Sequence, residues 1–236
     1  MLCSILRYYY DRNYAEHFSE LFGHTWIGQN PTGQQNQYIV LYLNFSTIAT
    51  GPTIQEIEKS FRRQCNNTLN NMRHQYSAVL KEMLVMDLSA PVSDNLSSLL
   101  GYIWQSDLPR VFIIIYEYDN FANQLVTGHK DQLYQQLIAE DSFFKSFFKT
   151  LKEGRETGAI ANIFITGVLP ILIDELASGF NIASIITLDQ EFEAMIGFTQ
   201  GEVDHLVDEV YADYDIDPTT RSEIDTVIKN HYNGYH

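Results

Sequence analysis

Residues 111–123 read VFIIIYEYDNFAN, and this stretch decides how the rest of the chain is understood. Five apolar residues are followed by Tyr116, Glu117, Tyr118 and Asp119. An unbroken apolar run bounded by polar residues suits a strand covered on both faces, which is the situation of a parallel sheet flanked by helices. Ligands of such sheets bind beyond the carboxyl ends of the strands. Glu117 and Asp119 fall there. A second reading keeps the same strand and treats the acids as its solvated end, with no chemistry attached.

Two further runs match this strand. Residues 38–45, YIVLYLNF, are β-branched and aromatic and apolar on both faces. Gly51 and Pro52 close that element, and Thr53 with Glu56 forms a capping-box pattern that opens a long helical stretch towards Met86. Pro91 interrupts it, Ser93 or Asp94 can cap a helix running through Trp104, and Pro109 leads into the central strand. About 65 residues separate the first two strands, enough for a helical crossover that keeps them parallel. Beyond Asn123 the chain reads as polar up to Lys130 and helical from Gln132, with Phe143, Phe144, Phe147, Phe148 and Leu151 as an apolar stripe. Residues 161–168, ANIFITGV, form a third strand ending at Thr166 and Gly167.

The flanks are helical. Residues 1–10 carry Leu2, Ile5, Leu6 and Tyr9 at helical spacing, residues 11–22 continue as a second helix or an irregular segment, and residues 23–37 form a loop. After Pro170 the pattern predicts a short helix over 171–177 and a fourth strand over 183–188. Phe198, Thr199 and Glu202 cap an acidic helix through Val210, and a last helix spans 218–232. The expected fold is α/β, a mainly parallel three-layer sheet with flanking helices over residues 1–198, with residues 199–236 as a C-terminal helical segment of the same domain.

Composition narrows the function. The 236 residues are 45% hydrophobic, and 15 Lys and Arg stand against 30 Asp and Glu for a formal charge of -15. That balance repels nucleic acid phosphate. The cluster Arg62, Arg63, Arg73 and Lys81 reads as a solvated helix face. Cys3 and Cys65 lack metal or CxxC spacing and read as reduced thiols. No apolar run reaches a membrane span and no secretion signal opens the chain, so the expected location is cytoplasmic. The Asn-x-Ser/Thr triplets at Asn44, Asn66 and Asn95 then carry no glycan meaning.

Parallel strands with acids after one and a threonine after the next have the layout of a P-loop nucleotidase. Such chemistry needs a Gly-rich phosphate loop with a Lys, an acid on Mg²⁺ and a residue that positions water. No Lys here lies in a GxxxxGK[ST] context; Lys149 precedes Thr150 but sits in a helical pattern. The ordered segments VFIIIYEYDNFAN, IFITGVLPILIDELASGFNIASIITLD, FEAMIGFTQGEVDHLV and NHYNGY resemble the bacterial AAA-ATPase-like family, many of whose members carry a PD-(D/E)XK nuclease-like domain behind the ATPase. The resemblance covers nearly the whole chain.

The resemblance implies a P-loop NTPase-like fold that binds ATP and Mg²⁺ in intact relatives. It makes 111–116 the Walker B strand, Glu117 the acid that orients water, Asp119 a second acid and Thr166 the polar sensor of the next strand. Tyr116 stands where the family has the metal-holding Asp, and a neutral phenol replaces a carboxylate poorly in a hydrated Mg²⁺ site. Leu169 departs from a usually small, polar position. Residues 1–10 resemble the helix that follows the phosphate loop, so the chain is expected to be truncated at both ends, to lack the P-loop strand, and to bind no ATP or Mg²⁺. Glu117, Asp119 and Thr166 would then be vestigial. The unpaired sheet edge predicts self-association or a protein partner. The alternative is a non-catalytic interaction module or degenerate remnant, and a third reading joins Glu117, Asp119 and a His in a metal hydrolase.

Overall fold

The computed structural model describes residues 1–81, 85–168, 180, 182–187, 189–192, 195 and 197–232. Contacts divide the chain into two units, Met1–Ala183 and Ser184–His236.

The first unit is built on a three-stranded parallel sheet in the order β1 (Ile39–Asn44), β2 (Val111–Tyr116), β3 (Ile160–Ile165). Tyr42 is level with Ile114 and Ile114 with Phe164, with one irregularity between Val111 and Phe112. The strand period of two sorts the side chains onto two faces. Ile39, Leu41, Leu43, Val111, Ile113 and Ile115 enter the larger core. Val40, Phe112 and Ile114 enter a smaller one with Cys3.

The larger face is sealed by long amphipathic helices. In order, the helices are α1 (Leu2–Tyr10), α2 (Phe18–Phe22), α3 (Trp26–Gln29), α4 (Ile54–Gln75), α5 (Ser77–Leu80), α6 (Val92–Gln105), α7 (Asn120–Thr127), α8 (Asp131–Ile138) and α9 (Phe143–Thr157). Thr53 caps α4 by accepting the Glu56 N–H, and Ile57, Phe61, Cys65, Leu69 and Met72 form its buried stripe. In α9, Ser142 caps the start and Gly158 ends the helix at φ +89°, a left-handed conformation suited to glycine. Its Phe144 and Phe147 meet Phe45, Phe61 and Phe121 in one aromatic cluster. Each such ring contributes roughly 1.5–3 kcal/mol through burial.

Among the described residues α1 is the helix on the smaller face, where Tyr10 stacks on Phe112 at 4.2 Å. The chain then passes beside the start of β1 through Asp11, which is fully buried and pairs with Tyr38 as an isolated bridge. Asp11 Oδ1 accepts the Asn13 N–H, while the Tyr76 hydroxyl accepts the Val40 N–H at 2.9 Å. Burial pushes the Asp11 carboxyl above its ordinary range, opposed by Asn13, Tyr76, Arg7 and Arg12; no bond of ordinary length reaches Oδ2.

Several elements differ from the sequence expectations. The helix α7 covers residues 120–127 and so takes in part of the stretch beyond Asn123 that read only as polar, and α4 ends at Gln75, with one further turn in α5, well short of Met86. No strand occurs over 183–187: among the described residues no strand lies beside them, and Ile185 is 51% exposed. Leu188 and the predicted helix 171–177 lie outside the described residues. Asn66 and Asn95, two of the glycan triplets, are buried and donate to the carbonyls of Leu88, Ala90 and Asp87. Among the described residues no helix is long and apolar enough to cross a membrane.

The second unit contains α10 (Gln200–Asp213) and α11 (Arg221–Tyr232). Thr199 and Glu202 complete the capping box read from the sequence.

Candidate functional site

The β2–β3 ladder runs past the strand ends. Thr166 donates its N–H to the Ile115 carbonyl at 2.9 Å and accepts the Tyr118 N–H at 3.0 Å. This pairing brings Glu117, Asp119 and Thr166 together at the carboxyl end of the sheet, where the sequence placed them. The Glu117 N–H reaches the Thr166 hydroxyl at 3.4 Å. Glu117 adopts φ +58°, in the left-handed region that an L side chain enters at a cost of about 1 kcal/mol or more. The strain turns the chain sharply, so that Tyr118 goes into the core while Tyr116 stays 36% exposed.

Asp119 is fully buried, and its oxygens have defined partners. The Val168 N–H donates to Oδ2 at 3.0 Å and to Oδ1 at 3.2 Å, and Asn123 Nδ2 donates to Oδ2 at 2.8 Å. The carboxylate also stands at the start of α7, where the helix dipole favours negative charge. It therefore ties the turn after β3 to the turn after β2. Gly167 belongs to the same joint: a Cβ there would lie 2.4 Å from Tyr118 Cε1 and 2.5 Å from Asp119 Oδ1.

The smaller face adds residues that the sequence reading did not place here. Cys3 of α1 faces Thr166, and burial pushes its thiol pKa up, with the Thr166 hydroxyl opposing. Burial also raises Tyr42, with Cys3 and Tyr116 adding to it and Arg7 opposing. Tyr42 could have been found by counting, since it lies on the same strand face as Ile114 and Tyr116. Cys3 could not, because its position depends on how α1 docks.

Tyr116 offers a neutral oxygen, and Asp119 is engaged by two N–H donors where a hydrated cation needs unencumbered carboxylate oxygens. Among the described residues no group of three or more His, Cys, Asp or Glu stands together as metal ligands. An open cleft of about 610 Å³ lies elsewhere, lined by Thr50, Gly51, Pro52 and His129 to Leu133, and contains none of the three candidate residues.

Parallel strands carrying Glu117, Asp119 and Thr166 past their carboxyl ends, with helices packed on them, make this an α/β domain. The chain belongs to the AAA-ATPase-like family, whose model, described as a predicted AAA-ATPase, matches residues 1–177. No curated protein and no solved structure shows a significant match to it.

Proposed function

We propose that this chain is a member of the AAA-ATPase-like family that neither binds nor hydrolyses ATP, in which the α/β core is retained and the acids at its strand ends are vestigial. The observation that carries this reading is Tyr116, which ends β2 where the resemblance expects the metal-holding acid. The bonds of Asp119 to Val168 and Asn123 support it, because they give that acid a structural task. Thermal unfolding with millimolar ATP and Mg²⁺ tests the proposal. A ligand at 100 times its Kd adds about 2.7 kcal/mol and would raise Tm by roughly 5–10 °C in a chain of this size. The expected shift is nil, and a rise of several degrees refutes the reading.

The retained core would then serve protein association through the free edge of the sheet. Among the described residues β3 pairs with β2 alone. Both backbone groups of Thr166 bond to β2, so by the strand's period of two those of Ile163 and Ile165 point the other way. Arg155 covers part of the edge by donating to the Ile160 and Ala161 carbonyls. An edge of this kind is a template for pairing with another chain. Sedimentation velocity should show association that grows with concentration and falls in Ile163→Lys; a monomer at every concentration refutes the edge as a self-association site.

A further inference from the structure

The second unit, considered by itself, is acidic. Ser184–His236 contains twelve Asp and Glu against Arg221 and Lys229, a net charge of -10 out of -15 for the chain. No described residue in it is buried.

Its two helices are joined by a polar clamp. Arg221 pairs with Asp208 and, at 2.8 Å, with Asp225, donates to the Asp204 carbonyl, and lies 5.6 Å from the centroid of the Tyr211 ring. Tyr211 also bonds Thr220 through its hydroxyl at 2.9 Å. This clamp occupies one side of α10. On a helix turning about 100° per residue, Leu206, Val210 and Tyr214 fall within an arc of about 80° on a different side. They are 52%, 40% and 76% exposed. Glu202, Glu209 and Asp213 border that arc on one side, the half-buried Val203 falls within it, and Val207 lies between it and the clamp.

We propose that this apolar stripe, with its acidic border, is the docking face for a cationic amphipathic helix of a partner protein. The stripe has the i, i+4, i+8 spacing that receives the apolar face of such a helix, and the carboxylates beside it match a Lys or Arg flank. Charge decides among occupants. A second copy would set -10 against -10, and nucleic acid or an anionic membrane would be repelled in the same way. Electrostatic attraction of this type speeds association and weakens with salt.

The test uses the full chain and a short fluorescent peptide of Lys and Leu, with Leu at helical i, i+3, i+4, i+7 spacing, followed by anisotropy at about 0.15 M salt. Saturable binding is expected. Leu206→Ser with Val210→Ser, which leaves the charge unchanged, should weaken it about tenfold or more, as should scrambling the peptide at constant composition. Glu209→Gln with Asp213→Asn should weaken binding and flatten its salt dependence. These positions are exposed, so unchanged circular dichroism is expected in each variant. The proposal is overturned if the peptide does not bind, or if the double-serine variant or the scrambled peptide binds within about twofold of the original, because attraction without the stripe would then account for the signal.

Discussion

Ile113 and Ile114 are neighbours in β2, both fully buried, yet they face different surroundings. Ile113 joins a core closed by α4, α6 and α9 and filled with phenylalanine. Ile114 joins Cys3, Val40 and Phe112 beneath α1, within reach of half-buried tyrosines and of the turn that carries Glu117 and Asp119. The contrast separates what holds the fold from what shapes its candidate site. One face can be close-packed because only stability depends on it, whereas the strand ends and the thinner face hold strain, a buried acid and partly exposed aromatic groups.

The largest effect should therefore come from the sealed face. Phe144→Ala removes a ring that meets Phe45, Phe61, Phe121 and Phe148, and should cost about 3–5 kcal/mol in denaturant unfolding. Phe112→Ala, on the thinner face, should cost only about 2 kcal/mol, because fewer rigid neighbours preserve the cavity. Equal losses would erase the distinction between the faces. At the joint between the turns, Asp119→Ala leaves the Val168 N–H and the Asn123 amide without their acceptor, and should cost about 1.5–3 kcal/mol. A loss below about 0.5 kcal/mol would mean that these bonds add nothing beyond what water supplies.

Glu117→Gly should act in the opposite direction. Glycine occupies φ +58° without the Cβ penalty, so relief of strain is expected to raise stability by up to about 1 kcal/mol, offset in part by greater freedom of the unfolded chain. A destabilised variant would show that the Glu117 side chain contributes more than its backbone costs. The last prediction concerns Asp11. Its folded pKa is raised, chiefly by burial, so its contribution to stability is fully present below the unfolded carboxyl's value and is lost as pH rises through the folded value. Asp11→Asn should gain on the parent chain as pH rises above the ordinary carboxyl value of about 4, when unfolding is followed from there upward; parallel profiles would contradict it.

Much of this architecture was legible in the sequence because strands buried on both faces leave a continuous apolar signature. VFIIIY and YIVLYLN stand out for that reason, IANIFI by its apolar run although only Ile160 in it is buried, and the parallel order follows from the length of the crossovers. The caps at Thr53 and Thr199 were equally plain, since each satisfies a helix end locally. Helix α7 was hidden because Asn120, Asn123, Gln124 and Thr127 give its solvent face the composition of a loop, and only Phe121, Ala122 and Leu125 enter the core. The segment 183–187 misled in the opposite way: an apolar run becomes a strand only beside another strand.

The site was legible to the level of position. Glu117, Asp119 and Thr166 meet because adjacent parallel strands end at the same height, which pattern alone anticipates. What Asp119 does there was not legible, since its partner is a backbone N–H at Val168, 49 residues away in sequence. Gly167 is explained only by the side chains it approaches.

The most direct measurement is the amide signal of Val168, followed by NMR and hydrogen exchange while Mg²⁺ and ATP are added together to millimolar levels. If Asp119 is a structural fastener, that amide is protected, its signal does not move, and the protection disappears in Asp119→Ala. If Mg²⁺ with ATP shifts the signal or speeds its exchange, the carboxylate is being taken over by the metal, and the reading of this domain as a non-hydrolysing core is wrong.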